Sequence, residues 1–108
     1  MTREQLGEIE HLVLLAVFRL GPEAYGVPII QEMQTRTGRA VSRAGVYLAL
    51  KRLEAKGLVK SRVGASLPER GGRPRRFFSV QRAGITALKQ SRAALVRMWQ
   101  DIEVKLEV

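Results

Sequence analysis

One stretch of period-two sequence, set between stretches of helical period, constrains this chain more than any other feature. From Leu58 to Val63, Leu58, Lys60 and Arg62 alternate against Val59, Ser61 and Val63. From Arg75 to Gln81 the β-formers Phe77, Phe78 and Val80 follow. Between them, residues 64–74 are rich in Gly, Pro and Arg. Two short alternating runs on either side of a polar loop predict a β-hairpin with a long basic tip.

The segments around the hairpin predict helices. Over 5–20, Leu6, Ile9, Leu12, Val13, Ala16, Val17 and Leu20 recur at helical spacing, with acids near the start that suit the helix dipole. Leu14, Leu15 and Phe18 widen that apolar face, which predicts burial on most sides. Gly21-Pro22 stops this helix. A second helix is expected over 27–37, with Pro28 in its first turn, Ile29, Ile30 and Met33 as its apolar side and Gly38 as its C-terminal cap. A third is expected over 43–56, N-capped by Ser42 and closed by Gly57, with Val46, Leu50 and Leu53 as its buried side. Residues 82–107 read as one long helix in which Ile85, Leu88, Leu95, Trp99, Ile102 and Leu106 form a stripe, interrupted at Arg92. Gly84 is expected to weaken its first turn.

Charge is distributed unevenly along this order. The 108 residues carry 19 Lys plus Arg against 10 Asp plus Glu, a formal net charge of +9. Residues 1–34 are net acidic, whereas residues 35–82 hold three bases without an acid and then ten bases against Glu54 and Glu69. A basic surface confined to one part of a small domain is the footprint of a polyanion partner; the plain alternative is a solubilising excess. The chain has no Cys, which excludes a disulfide framework, a thiol nucleophile and thiolate metal ligands. Its one histidine, His11, lies inside the apolar first helix and reads as structural. With no P-loop, no GxGxxG and no zinc motif, catalytic, metal and cofactor sites are all expected to be absent. The longest apolar run, 12–18, is far short of the ~20 residues of a membrane span, and the acidic N-terminal stretch is unlike a signal peptide; a cytoplasmic protein that avoids membranes is expected.

Three helices followed by a hairpin is the winged helix-turn-helix order, here with a long C-terminal helix appended: a mainly α fold with a two-stranded β-hairpin. It divides into a DNA-binding unit over 1–81 and a dimerisation helix over 82–108. In such folds the third helix enters the major groove of DNA. Its face away from the core offers Arg43, Ala44, Tyr47 and Lys51; a merely solvated face would suit Lys51 but suits Tyr47 less. The candidate DNA-contacting residues are Tyr25, Ser42, Arg43, Ala44, Tyr47 and Lys51, with Arg70, Gly71, Gly72, Arg73 and Arg75 from the hairpin. Glycines there permit close backbone approach, and arginines bind phosphate or enter a narrow minor groove. A winged-helix module that binds protein is the alternative, but it would not require the hairpin arginines.

The motifs Leu6-Gly7-Glu8-Ile9-Glu10, Ala24-Tyr25-Gly26, Arg36-Thr37-Gly38-Arg39 and Val41-Ser42 stand in order along the chain. They continue with the run from Val46 to Val59, then the run from Pro68 to Phe78, then Ala83-Gly84. Together they resemble the PadR family of bacterial transcriptional regulators over nearly the whole chain. Leu48-Ala49 stands where the family often has Pro or Thr, and Phe77-Phe78 where it usually has Tyr-Tyr or Phe-Tyr. The resemblance implies a homodimeric winged-helix repressor, commonly of detoxification or efflux genes, in the short form with a single C-terminal helix. It also implies a small aromatic effector in some members, bound between two subunits against a tryptophan of this helix.

A dimer also follows from the apolar pattern. The first and last helices present more apolar surface than one small core can bury. Pairing two copies would cover Leu88, Leu95, Trp99, Ile102 and Leu106 together with parts of Leu12, Leu15 and Phe18. At ~25 cal/mol per Å² of apolar area, an interface of ~1,600 Å² suffices for a stable dimer. Two-fold symmetry then predicts an inverted-repeat operator on double-stranded DNA. Trp99, the only tryptophan, reads most simply as an interface anchor; on the family resemblance, Trp99, Met98 and Ile102 would line an effector cavity.

Overall fold

A computed structural model describes residues 5–64 and 74–102 of the chain. The element order is α1 (Glu8–Leu20), α2 (Gly26–Thr37), α3 (Arg43–Ala55), β1 (Val59–Val63), β2 (Arg76–Val80) and α4 (Arg82–Trp99), with one 3-10 turn over Gly21–Glu23 between α1 and α2. The fold is mainly helical with a two-stranded antiparallel hairpin, as the patterning predicts.

Helix α1 starts three residues later than expected. The Gly7 N–H donates to Glu10 Oε1 at 3.1 Å, so the carboxylate closes the first turn. Ser42 caps α3 as expected, its Oγ accepting from the Gly45 N–H at 3.0 Å. Gly57 ends α3 with φ +77°, a left-handed geometry that lets the Leu58 N–H reach back to the Leu53 carbonyl at 2.9 Å.

The largest fully buried side chains are Val13, Leu14, Val17, Ile29, Val46, Leu50, Leu53 and Leu58. They bring α1, α2, α3 and the start of the hairpin onto one core, to which Ala49, Met33, Val59 and Phe78 add. Within α1, Leu14 is buried, but Leu15 and Phe18 face outward, so a single chain does not bury the helix on most sides.

The hairpin pairs Val59 with Val80, Ser61 with Phe78 and Arg62 with Phe77. It does not stand free. The Phe78 N–H donates to the Ala24 carbonyl at 2.8 Å, and Tyr25 forms an antiparallel bridge with Phe77. The connector between α1 and α2 thus touches β2 through one isolated bridge beside this hydrogen bond. Hairpin spacing alone does not reveal this, because the partner is some fifty residues away.

Three expectations about α4 need correction. The helix ends at Trp99 rather than running to 107; Asp101 takes φ +69°, a left-handed geometry that Asp tolerates and a continuing helix does not. Leu88, expected against a second copy, is 8% exposed in one chain and sits in its own core beside Ala87. Gly84 does not merely weaken the first turn. A Cβ there would overlap the Leu58 carbonyl oxygen and approach Val80 Cγ1 to 2.8 Å, so its missing side chain is what lets α4 lie on the hairpin. Leu106 falls outside the described residues. Among the described residues no helix is long and apolar enough to cross a membrane.

Candidate nucleic-acid interface

Burying Val46, Ala49, Leu50 and Leu53 fixes the rotation of α3 about its axis. Arg43, Ala44, Tyr47 and Lys51 are then presented outward together, all exposed, in one stripe. Ser42 is exposed at the head of the stripe.

Tyr47 is not simply a solvent-facing ring. It is 44% exposed, and one edge lies on α2, where a Cβ on Gly26 would overlap its hydroxyl and come within 2.6 Å of Cζ. The next residue back, Tyr25, is half-buried and engages the hairpin. Its ring meets Phe77 edge-to-face, with centroids 5.2 Å apart and planes at 62°. The Arg75 guanidinium lies 4.7 Å above the Tyr25 ring, and the Arg62 guanidinium lies 4.8 Å from the Phe77 centroid. Two aromatic rings, each with an arginine over it, therefore form one cluster at the loop end of the hairpin. Through Gly26 it is joined to the outward stripe of α3. Arg75 is further fixed through its backbone, its carbonyl accepting from the Gly64 N–H at 2.6 Å.

The tip residues Arg70, Gly71, Gly72 and Arg73 lie outside the described residues. Sequence reasoning missed Gly26, Phe77 and Arg62 as parts of this surface. The alternation that places Arg62 opposite Phe77 carried a signal for two of them; nothing in local spacing signals the contact of Gly26 with Tyr47.

Electrostatics divide the molecule. Glu32 accepts from Arg36 Nε at 2.6 Å and from Arg19 Nε at 3.0 Å, and Glu8 accepts from Arg39 at 3.1 Å. Lys56 Nζ donates to Glu10 Oε1 at 3.0 Å. Glu10 is only 6% exposed, and burial alone would raise its pKa. The Lys56 hydrogen bond and the Gly7 N–H, together with the charges of Lys56 and Arg52, outweigh this and hold the carboxyl below its ordinary value. These pairs neutralise cations around α1 and α2. By contrast, Arg43, Lys51, Lys60, Arg62 and Arg75 form no ion pair among the described residues. A cationic surface of this kind across α3 and the hairpin attracts a polyanion, and an α-helix fits the ~12 Å major groove.

The far end of α4 is a second surface. Leu95, Val96, Met98, Trp99 and Ile102 are exposed, Met98 at 76% and Trp99 at 48%. On α1, Leu15 and Phe18 are exposed and Leu12 is half-buried. Arg92, which interrupts the stripe, faces outward as well.

Residues 14–90, well over half of the chain, match the family described as Transcriptional regulator PadR-like. Among solved structures, a PadR-like transcription factor from Bacteroides fragilis is 22% identical with a TM-score of 0.73, covering 87% of this chain and 85% of that one. A PadR family transcription regulator from Clostridium difficile is 26% identical with a TM-score of 0.70, covering 93% of this chain and 99% of that one. A PadR-like transcriptional regulator from Bacillus cereus is 18% identical with a TM-score of 0.72, covering 93% and 92%. No curated protein matches the chain.

Proposed function

The chain belongs to the Transcriptional regulator PadR-like family and is thus a DNA-binding regulator of transcription; within that role, we propose that it is a homodimeric repressor of an inverted-repeat operator. In this reading Ser42, Arg43, Ala44, Tyr47 and Lys51 enter the major groove of double-stranded DNA. Arg75 and the hairpin tip, with Arg70, Gly71, Gly72 and Arg73, follow the phosphates beside it. The observation that supports this reading is the run of contacts from Tyr47 through Gly26 and Tyr25 to Arg75, which joins α3 to the hairpin along a surface whose cations form no ion pair among the described residues. Arg43 lies one turn before Tyr47, in the first turn of α3, where a recognition helix reaches base edges.

The dimer is supported by the exposed apolar end of α4 together with Leu12, Leu15 and Phe18 of α1. Covering this surface with a second copy sets two α3 helices one DNA turn, ~34 Å, apart on the operator. The division of labour is α3 and the hairpin for DNA and the far half of α4, beyond Arg92, for joining copies. Trp99, Met98 and Ile102 then line a space between copies in which a small, flat aromatic effector stacks on the indole and releases the operator. A repressor of this kind acts in the cytoplasm.

The test is fluorescence anisotropy with the protein's own upstream region, against random duplex, over a salt series. Operator affinity is expected to fall steeply between ~50 and ~200 mM salt. Arg43→Ala should cost ~1–3 kcal/mol on the operator and less on random DNA, whereas Arg73→Ala should weaken both alike and flatten the salt slope. Equal losses from Arg43→Ala on both duplexes remove its base-reading role. Salt-independent binding removes the phosphate contacts. Quenching of Trp99 by flat aromatic compounds, with release of bound duplex, checks the effector.

A further inference from the structure

We propose that the dipeptide Tyr25-Gly26 is the joint that sets the angle between the recognition helix α3 and the hairpin, so that neither engages duplex independently of the other. The proposal rests on the duplex-binding reading above and adds a positioning role to residues that reading does not explain. Tyr25 faces one way and Gly26 the other. The Tyr25 backbone bridges Phe77, and the Ala24 carbonyl beside it accepts from the Phe78 N–H at 2.8 Å. The Tyr25 ring packs on Phe77 at 5.2 Å and carries the Arg75 guanidinium at 4.7 Å. One residue on, the bare Cα of Gly26 is the seat of the Tyr47 ring. The Ile29 N–H donates to the Tyr25 carbonyl at 3.1 Å, so the first turn of α2 holds both residues in one element and a displacement on one side is transmitted to the other.

This arrangement assigns Tyr25 a different task from direct contact. Its ring meets Phe77 edge-to-face and carries the Arg75 guanidinium over it, so it orders a phosphate-seeking arginine rather than seeking phosphate itself. It also explains why glycine stands at 26 although α2 starts there. Any side chain would push Tyr47 aside. Because the obstructing atoms are the far end of a side chain, the chain would still fold, but with the α3 stripe rearranged.

The first test needs no DNA. In the amide spectrum of the intact protein, Phe77→Leu should shift the signals of Arg43 to Tyr47 on α3 as well as those of the hairpin. Gly26→Ala should likewise shift Phe77 and Arg75 from the opposite side, which decides the matter if Phe77→Leu folds poorly. Shifts confined to the substituted element overturn the proposal. The second test is a double-mutant cycle of Phe77→Leu and Tyr47→Ala on the operator. Coupled elements should depart from additivity by about fivefold or more, whereas additive losses overturn the joint. Tyr25→Phe should keep operator affinity near that of the parent while Tyr25→Leu loses it; equal losses place the hydroxyl on DNA and overturn the positioning role. If the parent protein binds no duplex at all, the duplex-binding reading falls and the amide spectra still decide the joint.

Discussion

The two ends of α4 share one amphipathic stripe and are used in opposite ways. In the first half, Gly84, Ala87 and Leu88 are buried against the hairpin and α1, and Ser91 Oγ meets His11 Nδ1 of α1 at 2.7 Å. Beyond Arg92 the helix leaves the body, and Leu95, Met98 and Trp99 face outward. Periodicity is the same in both halves; only the presence of neighbours differs. The lesson is that an apolar stripe measures a demand for burial without saying which surface meets it. Here the chain itself meets the first half, and a second copy is proposed to meet the rest.

The largest effect that sharpens this contrast is expected at Leu88. Leu88→Ala should cost ~2–5 kcal/mol of unfolding free energy by leaving a cavity in the core, read as a lower denaturant midpoint. A loss that appeared only in self-association would return Leu88 to the interface and erase the distinction between the halves. Next comes Gly84→Ala, expected to destabilise by ~1–3 kcal/mol because the new methyl meets the rigid Leu58 carbonyl as well as Val80. Thermal unfolding checks it, and a stabilised variant would mean that helix propensity outweighs the close approach.

Trp99→Ala should leave the stability of the single chain nearly untouched and weaken self-association tenfold or more, about 1.4 kcal/mol. Sedimentation over a concentration series measures this, and unchanged association would leave the far half of α4 without its proposed cover. The smallest effect is a pH dependence at the junction between the halves. Burial lowers the His11 pKa below its ordinary value of 6.5, so the unfolded chain binds the proton more tightly. The stabilising contribution is complete above pH ~6.5 and is lost as pH falls through the lower folded value. Melting curves between pH 8 and pH 5 should show this loss in the parent and a smaller one in His11→Gln.

What could be read from sequence follows from how far each signal reaches. Ser42 as a cap, Gly57 as a stop and the 58–63 and 75–81 runs are properties of a few neighbouring residues, and the structure has them within a residue or two. Tyr47 and Lys51 each follow a buried residue, Val46 and Leu50, by one position, about 100° round the helix, so locating the core side located the outer side as well. The burial of Glu10 against Lys56, by contrast, joins α1 to the residue that follows α3, and no spacing within either segment carries it. The cluster of Tyr25, Phe77 and Arg75 was legible only in its members, not in their meeting.

Taken alone, the amino-acid order determined the elements and their sequence along the chain, the cationic character of the segment from 35 to 82 and the side of α3 that looks outward, because backbone preference and periodicity act over a few residues. Tertiary structure decided which glycines are there for space rather than for turning, that Leu88 belongs to the core, that α4 ends at Trp99 and that α2 and the hairpin meet at Tyr25. Those outcomes depend on which surfaces come within van der Waals reach after collapse, and that distance is set by the packing of the whole chain.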